Sequence, residues 1–119
     1  MRSAVSTETR TSQRVAFVLH IREGMGEAYD KSHEAVWPEM LDLLSRCGVS
    51  EYSIFRREAT LFLVMSIPPG DTFDQVWERI EADPINTRWQ KTTAPFFKPI
   101  EGLQPGERFP MLREVFYMA

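Results

Sequence analysis

Two apolar runs set the problem this chain has to solve. Val15-Ala16-Phe17-Val18-Leu19-His20-Ile21 and the stretch from Thr60 to Ile67 both read as strands, and both are apolar at odd and even positions alike. Successive strand side chains point to opposite faces, so each run presents apolar groups on both sides of its sheet. Such strands have to be covered twice. Any architecture for the chain must supply two layers against them.

The other elements supply one. A first helix is predicted from about Glu27 to Arg46, with a core stripe of Met40, Leu41, Leu43 and Leu44 and with Gly48 at its end. Tyr29, His33 and Trp37 fall at i, i+4 and i+8 within it and share a face, and Pro38 then kinks it. Glu51 to Arg56 is a second strand, with Tyr52 and Ile54 on one face and Ser53 and Phe55 on the other. The short link Arg57-Glu58-Ala59 makes a hairpin with the strand that follows. Asp71 is placed to cap a helix whose stripe is Phe73, Val76, Trp77 and Ile80. Asp83-Pro84 predicts a further helix start, and that short helix carries Arg88, Trp89 and Gln90. Residues 94–110 hold four prolines and two glycines and read as a long loop of the functional kind. Leu112 to Met118 reads as a final strand.

The order βαββα, short helix, loop, β predicts an α+β domain of the ferredoxin-like split βαβ type, a four-stranded antiparallel sheet with helices on one side. One sheet face is left bare. A second copy of the same sheet is the simplest cover, so a homodimer with facing sheets, a dimeric α+β barrel, is expected. Residues 1–13 are polar and Ser/Thr-rich and read as a flexible tail; residues 14–119 make one domain.

Composition removes several function classes. The net charge is -3, with no basic run beyond Arg56-Arg57, which argues against a nucleic-acid partner. No apolar run approaches the ~20 residues needed to span a bilayer, and the first thirteen residues lack the apolar core of a signal peptide. The single Cys47 cannot form an internal disulfide, so a reducing cytoplasm is the expected home. Carboxylates are not clustered at metal-ligand spacing, and Gly24-x-Gly26 is too short for a dinucleotide loop.

The chemistry concentrates around His33, flanked by Tyr29 and Trp37. A histidine is the side chain whose ordinary pKa lies near working pH, which suits proton transfer to and from a substrate. His20 lies in a strand without polar company and reads as structural. Arg88 is expected to pair with Glu81 or Glu78, and Trp37 to pack at the kink.

Several landmarks then occur in order: Ala16-Phe17, Tyr29-x-x-x-His33, Trp37-Pro38-Glu39, Tyr52-Ser53-Ile54, Arg88-Trp89 and Leu112-Arg113-Glu114-Val115-Phe116. On these the chain resembles the L-rhamnose mutarotase family over roughly residues 14 to 118. The resemblance implies a small dimeric α+β barrel enzyme that interconverts the α and β pyranose anomers of a 6-deoxy-L-hexose without a cofactor. It implies His33 as the proton donor and sugar contacts at Tyr29, Tyr52 and Trp89. The sequence departs from the family at Gln90, where a second tryptophan is usual. It departs again at Pro99-Ile100-Glu101-Gly102-Leu103-Gln104-Pro105, which replaces an Asn-Pro-Asp-x-Ser-Pro loop. Both departures touch the sugar pocket. Gln90 is therefore a candidate substrate contact, and L-fucose stands beside L-rhamnose as the expected sugar. The rival readings are another chemistry on the same barrel, such as a cofactor-free monooxygenase, and a non-catalytic ligand-binding dimer.

Overall fold

The computed structural model describes residues 12–119; most of the predicted tail, residues 1–11, lies outside the described residues. The elements are β1 (Gln13–His20), α1 (Gly26–Ser32), α2 (Pro38–Arg46), β2 (Ser50–Arg57), β3 (Thr60–Ile67), α3 (Phe73–Glu81), α4 (Pro84–Thr93), a 3-10 turn (Ala94–Phe96) and β4 (Met111–Leu112). The sheet order is β2-β3-β1-β4, antiparallel throughout, which is the predicted ferredoxin-like arrangement. β1 begins two residues earlier than the apolar run, because the Gln13 amide donates to the carbonyls of Pro68 and Asp71 and ties the strand to the loop after β3.

Strand register sorts the side chains. Phe17 pairs with Leu63 and Val18 with Phe62. Phe17, Leu61, Leu63, Met65 and Ile67 are buried against the helices, which add Met40, Leu43, Val76, Trp77 and Ile80. The other face carries Val18, Phe62 and Phe55 in one cross-strand row, with Leu112 beside Ala16. Phe62 is 40% exposed, Leu112 47% and Phe55 61%.

Three expectations give way here. The first helix is two helices. α1 ends at His33, and Trp37 (φ −55°, ψ 134°) leads into α2 with Pro38 at its first position. Proline lacks the N–H that is an orphan at a helix start and has a φ suited to one, so it opens α2 instead of kinking a longer helix. The restart fixes the phase of α2, burying Met40, Leu43 and Cys47 and leaving Leu41 exposed. At the far end, Val49 N–H bonds the Leu44 carbonyl and Gly48 takes φ +102°, as a glycine-terminated helix requires. The cap of α3 is Thr72 and not Asp71: Thr72 Oγ1 accepts from Gln75 N–H while the Gln75 side chain accepts from Thr72 N–H. Asp71 instead accepts from Arg79 at 2.6 Å. Finally, β4 stops at Leu112. The apolar alternation beyond it finds no surface within the chain, and Val115, Phe116 and Met118 are largely exposed.

The long segment after α4 is anchored at both ends. Arg22 N–H bonds the Phe96 carbonyl, Lys98 N–H bonds the His20 carbonyl, and Ile21 bridges Phe97. Phe109 stacks on Phe17 at 4.7 Å, and Arg108 bonds Asp74 and Glu81.

Candidate active site

The early stop of α1 prepares His33. Its backbone N–H turns to Asp30 O at 3.1 Å, a tightened last turn that leaves the Tyr29 carbonyl free. That carbonyl accepts Ser32 Oγ–H at 2.7 Å and lies 3.2 Å from His33 Nδ1. Nδ1 also lies 2.9 Å from Ser32 Oγ, whose own proton goes to that carbonyl; both neighbours of Nδ1 then accept, so Nδ1 carries the proton and Nε2 keeps its lone pair. Among the described residues Nε2 has no hydrogen-bond partner. The imidazole stacks on Tyr29 at 4.3 Å between ring centroids and meets Trp89 edge-on at 5.7 Å. Burial holds its pKa below 6.5; the Tyr29 carbonyl and Asp30 act the other way. At neutral pH the ring is an uncharged base.

Two adjoining cavities of about 600 Å³ and 480 Å³ meet at this ring. Tyr29, His33, Tyr52, Trp89 and Gln90, from α1, β2 and α4, line both of them. The structure thus brings together every residue singled out for the site. Neither tyrosine hydroxyl has a partner among the described residues. Burial pushes the Tyr29 hydroxyl up to about 12 and raises that of Tyr52 further, so both remain phenols that can donate as well as accept. Tyr52 reaches the pocket from within the register shift of β2 between Ser50 and Ser53, where Glu51 takes φ +47°. Trp37, expected at a kink, packs edge-on against Trp89 at 5.1 Å and supports it from behind α2's start. Gln90 is exposed at the cavity rim, and Phe97, Lys98 and Pro99 of the long loop wall the second cavity. His20 is exposed and lines neither.

Two features escaped the sequence reading. Arg56 donates to both oxygens of Asp30, at 2.7 and 2.6 Å, and to the Glu58 carbonyl at 2.8 Å. The guanidinium keeps the Asp30 carboxyl below the usual carboxylate range. This fork joins α1, which carries Tyr29 and His33, to β2, which carries Tyr52. It passes over Gly26 so closely that a Cβ there falls 2.5 Å from Arg56 Nη1. The second feature is Asn86, buried on the inward side of α4 and lining the larger cavity. Its spacing from Trp89 and Gln90, i to i+3 and i+4, was the available signal. Arg88, expected beside Glu81 or Glu78, makes no ion pair among the described residues, and Glu81 is taken by Arg108. Among the described residues no group of three His, Cys, Asp or Glu side chains is placed to hold a metal ion, and no helix is long and apolar enough to cross a membrane.

Fold and site together define a ferredoxin-like α+β domain with a pocket lined by a histidine and two tyrosines between its sheet and helices. The family model for L-rhamnose mutarotase matches residues 14–118. The chain is 35% identical over 107 residues to the L-rhamnose mutarotase of Listeria monocytogenes serotype 4b, covering 90% of this chain and 99% of that one. The crystal structure of an L-rhamnose mutarotase from Formosa agariphila superposes with a TM-score of 0.71 at 30% identity, covering 91% of this chain and all of that one. A dimeric ferredoxin-like protein from an uncultured marine organism shares the fold, with a TM-score of 0.51 at 14% identity over 98% of this chain and 100% of that one. The chain belongs to the L-rhamnose mutarotase family.

Proposed function

We propose that this protein is a cofactor-free aldose mutarotase acting on a 6-deoxy-L-hexose, with His33 as its acid–base residue. The observation that carries the reading is the placement of His33: its Nδ1 lies against the Tyr29 carbonyl and Ser32 Oγ, and its Nε2 is without a partner among the described residues in a pocket lined by two phenols. Nε2 takes the proton of the anomeric O1–H, the C1–O1 double bond forms, and the C1–O5 bond breaks. The ring oxygen receives the proton back from the imidazolium, with Tyr29 and Tyr52 hydrogen-bonding the sugar oxygens. Rotation about C1–C2 presents the other face of the aldehyde, and the same transfers in reverse close the ring as the other anomer. Trp89 offers an apolar face to the ring carbons, and burying the C6 methyl adds ~0.8 kcal/mol.

L-rhamnose is the first sugar to test, because the related proteins carry it in their names. Gln90 is the reason to test L-fucose beside it. Its amide stands at the rim of both cavities and can bond a hydroxyl of different configuration. The apolar sheet face and the exposed Val115, Phe116 and Met118 support a homodimer, and the lone, buried Cys47 supports a cytoplasmic one.

The test is saturation transfer between the α and β anomeric proton resonances of L-rhamnose, L-fucose and related aldoses. Protein-dependent exchange that vanishes in His33→Ala is the expected result. No exchange on any sugar rejects the reading. Gln90→Trp should move the preference between the two sugars, and an unchanged ratio removes Gln90 from the specificity argument.

A further inference from the structure

Among the described residues, Asn86 is the one in the cavity wall whose side chain holds a fully enclosed oxygen without a partner. It is 5% exposed, its Oδ1 is enclosed without a partner, and it lines the larger cavity beside the apolar groups of Met40, Val49 and Trp77. Burying an amide unpaired is unfavourable, and an apolar residue of the same shape is the better choice for stability alone. The other enclosed, unpaired side-chain oxygen among the described residues, Ser66 Oγ, lines none of the cavities at this site. Asn86 thus brings to the cavity wall an amide with no partner among the described residues, its oxygen shut away from the open space.

Its place on α4 fixes which part of a ligand it meets. Asn86 precedes Trp89 by three residues and Gln90 by four, on one helix face, and one turn of helix spans about 5.4 Å. Trp89 is the residue whose ring meets His33 edge-on. A pyranose lying on Trp89 with its anomeric carbon at His33 turns its remote ring carbons toward Asn86. The two ends of an amide have the same shape, so a half-turn of the terminal torsion exchanges donor for acceptor. A sugar hydroxyl, both donor and acceptor, satisfies either.

We propose that Asn86 is a specificity-determining substrate residue whose amide bonds the hydroxyl on C3 or C4 of the sugar, at the end of the cavity away from His33. This rests on the mutarotase reading and says which hydroxyls the pocket discriminates. A site that hydrogen-bonds a hydroxyl rejects the analogue lacking it, because its own buried group is then left unpaired. L-rhamnose and L-fucose differ in configuration at C2 and at C4, so a contact to the C4 hydroxyl bears directly on the choice between them.

The test is Asn86→Leu, which keeps the shape and removes the bond. Its thermal midpoint should equal or exceed that of the wild type, while kcat/KM for anomer exchange on L-rhamnose falls about tenfold, mostly through KM. The tenfold loss should vanish on whichever of 3-deoxy- or 4-deoxy-L-rhamnose lacks the bonded hydroxyl. An unchanged KM, or an equal loss on L-rhamnose and both analogues, overturns the assignment; so does a lowered midpoint with normal exchange, which marks a structural amide. Should Asn86→Leu fail to fold, the side-chain amide signals of Asn86 in the wild-type protein decide: they shift on titration with L-rhamnose, and signals that stay put overturn the proposal. Failure of the mutarotase reading shows elsewhere, as an absence of exchange by the wild type on every sugar, and takes the proposal with it.

Discussion

Replacing His33 by phenylalanine separates its chemistry from its packing. The imidazole makes two ring contacts, stacked on Tyr29 at 4.3 Å and edge-on to Trp89 at 5.7 Å. Aromatic pairs of this kind contribute about 0.5–1.5 kcal/mol each. His33→Ala removes both and should cost about 1–3 kcal/mol of stability, roughly 4–12 °C of thermal midpoint in a domain of this size. His33→Phe retains a ring at the same place, and the Tyr29 carbonyl keeps Ser32 Oγ–H as its donor. The phenylalanine variant should therefore unfold close to the wild-type temperature. It has no Nε2, however, and general acid–base catalysis is worth about 10²–10⁴ in rate, or about 3–5 kcal/mol of activation free energy. Both variants should lose that factor in saturation-transfer exchange, while thermal unfolding followed by circular dichroism distinguishes them. Anomer exchange by His33→Phe at the wild-type rate would refute the assignment of His33 as the proton-transfer group.

The acid limb of the exchange rate should fall below pH 6.5, since burial depresses the His33 pKa; a limb above that value contradicts a desolvated imidazole. The same depression links to stability. Between the folded-state pKa and 6.5 the unfolded chain binds more protons, so this contribution is full above pH 6.5 and is lost as pH falls through the lower value. Phe62→Glu places a charge in the middle of the open sheet face and should convert a dimer to monomer in sedimentation, whereas an unchanged mass removes that face from the interface. Glu58 turns the β2–β3 hairpin at φ +52°, and Glu58→Gly should raise stability by about 0.5–1 kcal/mol in chemical denaturation; a loss shows that the turn is not strained.

Most of the sheet was legible because its signals are local. β3 has the predicted bounds, set by the short link at Glu58–Ala59 and by Pro68-Pro69. Asp83 and Pro84 likewise act as cap and first helical residue. The break after α1 was masked by a coincidence of spacing: Tyr29, His33 and Trp37 fit one continuous helix, and Trp37 makes no side-chain cap that would announce a second start. Pro38 was the informative residue, and it marks a beginning. Tyr29, His33, Tyr52 and Trp89 were found through motif resemblance, which places residues from three elements in one pocket without showing how they touch. The tautomer of His33, the fork from Arg56 to Asp30 and the unpaired amide of Asn86 depend on contacts between elements distant in sequence, and periodicity along the chain carries no trace of them.

The passage of Arg56 over Gly26 links two positions thirty places apart in heredity as well as in space. A side chain at residue 26 has to push aside the flexible end of Arg56, so a substitution there strains the fork to Asp30 in this background and meets no such obstacle in one that has already lost the arginine. The order in which mutations arrive then matters: change at 56 opens position 26 to drift, and change at 26 first disturbs the fork. A lineage that has taken this route holds α1 against β2 through the core packing of Tyr29 and Tyr52 alone.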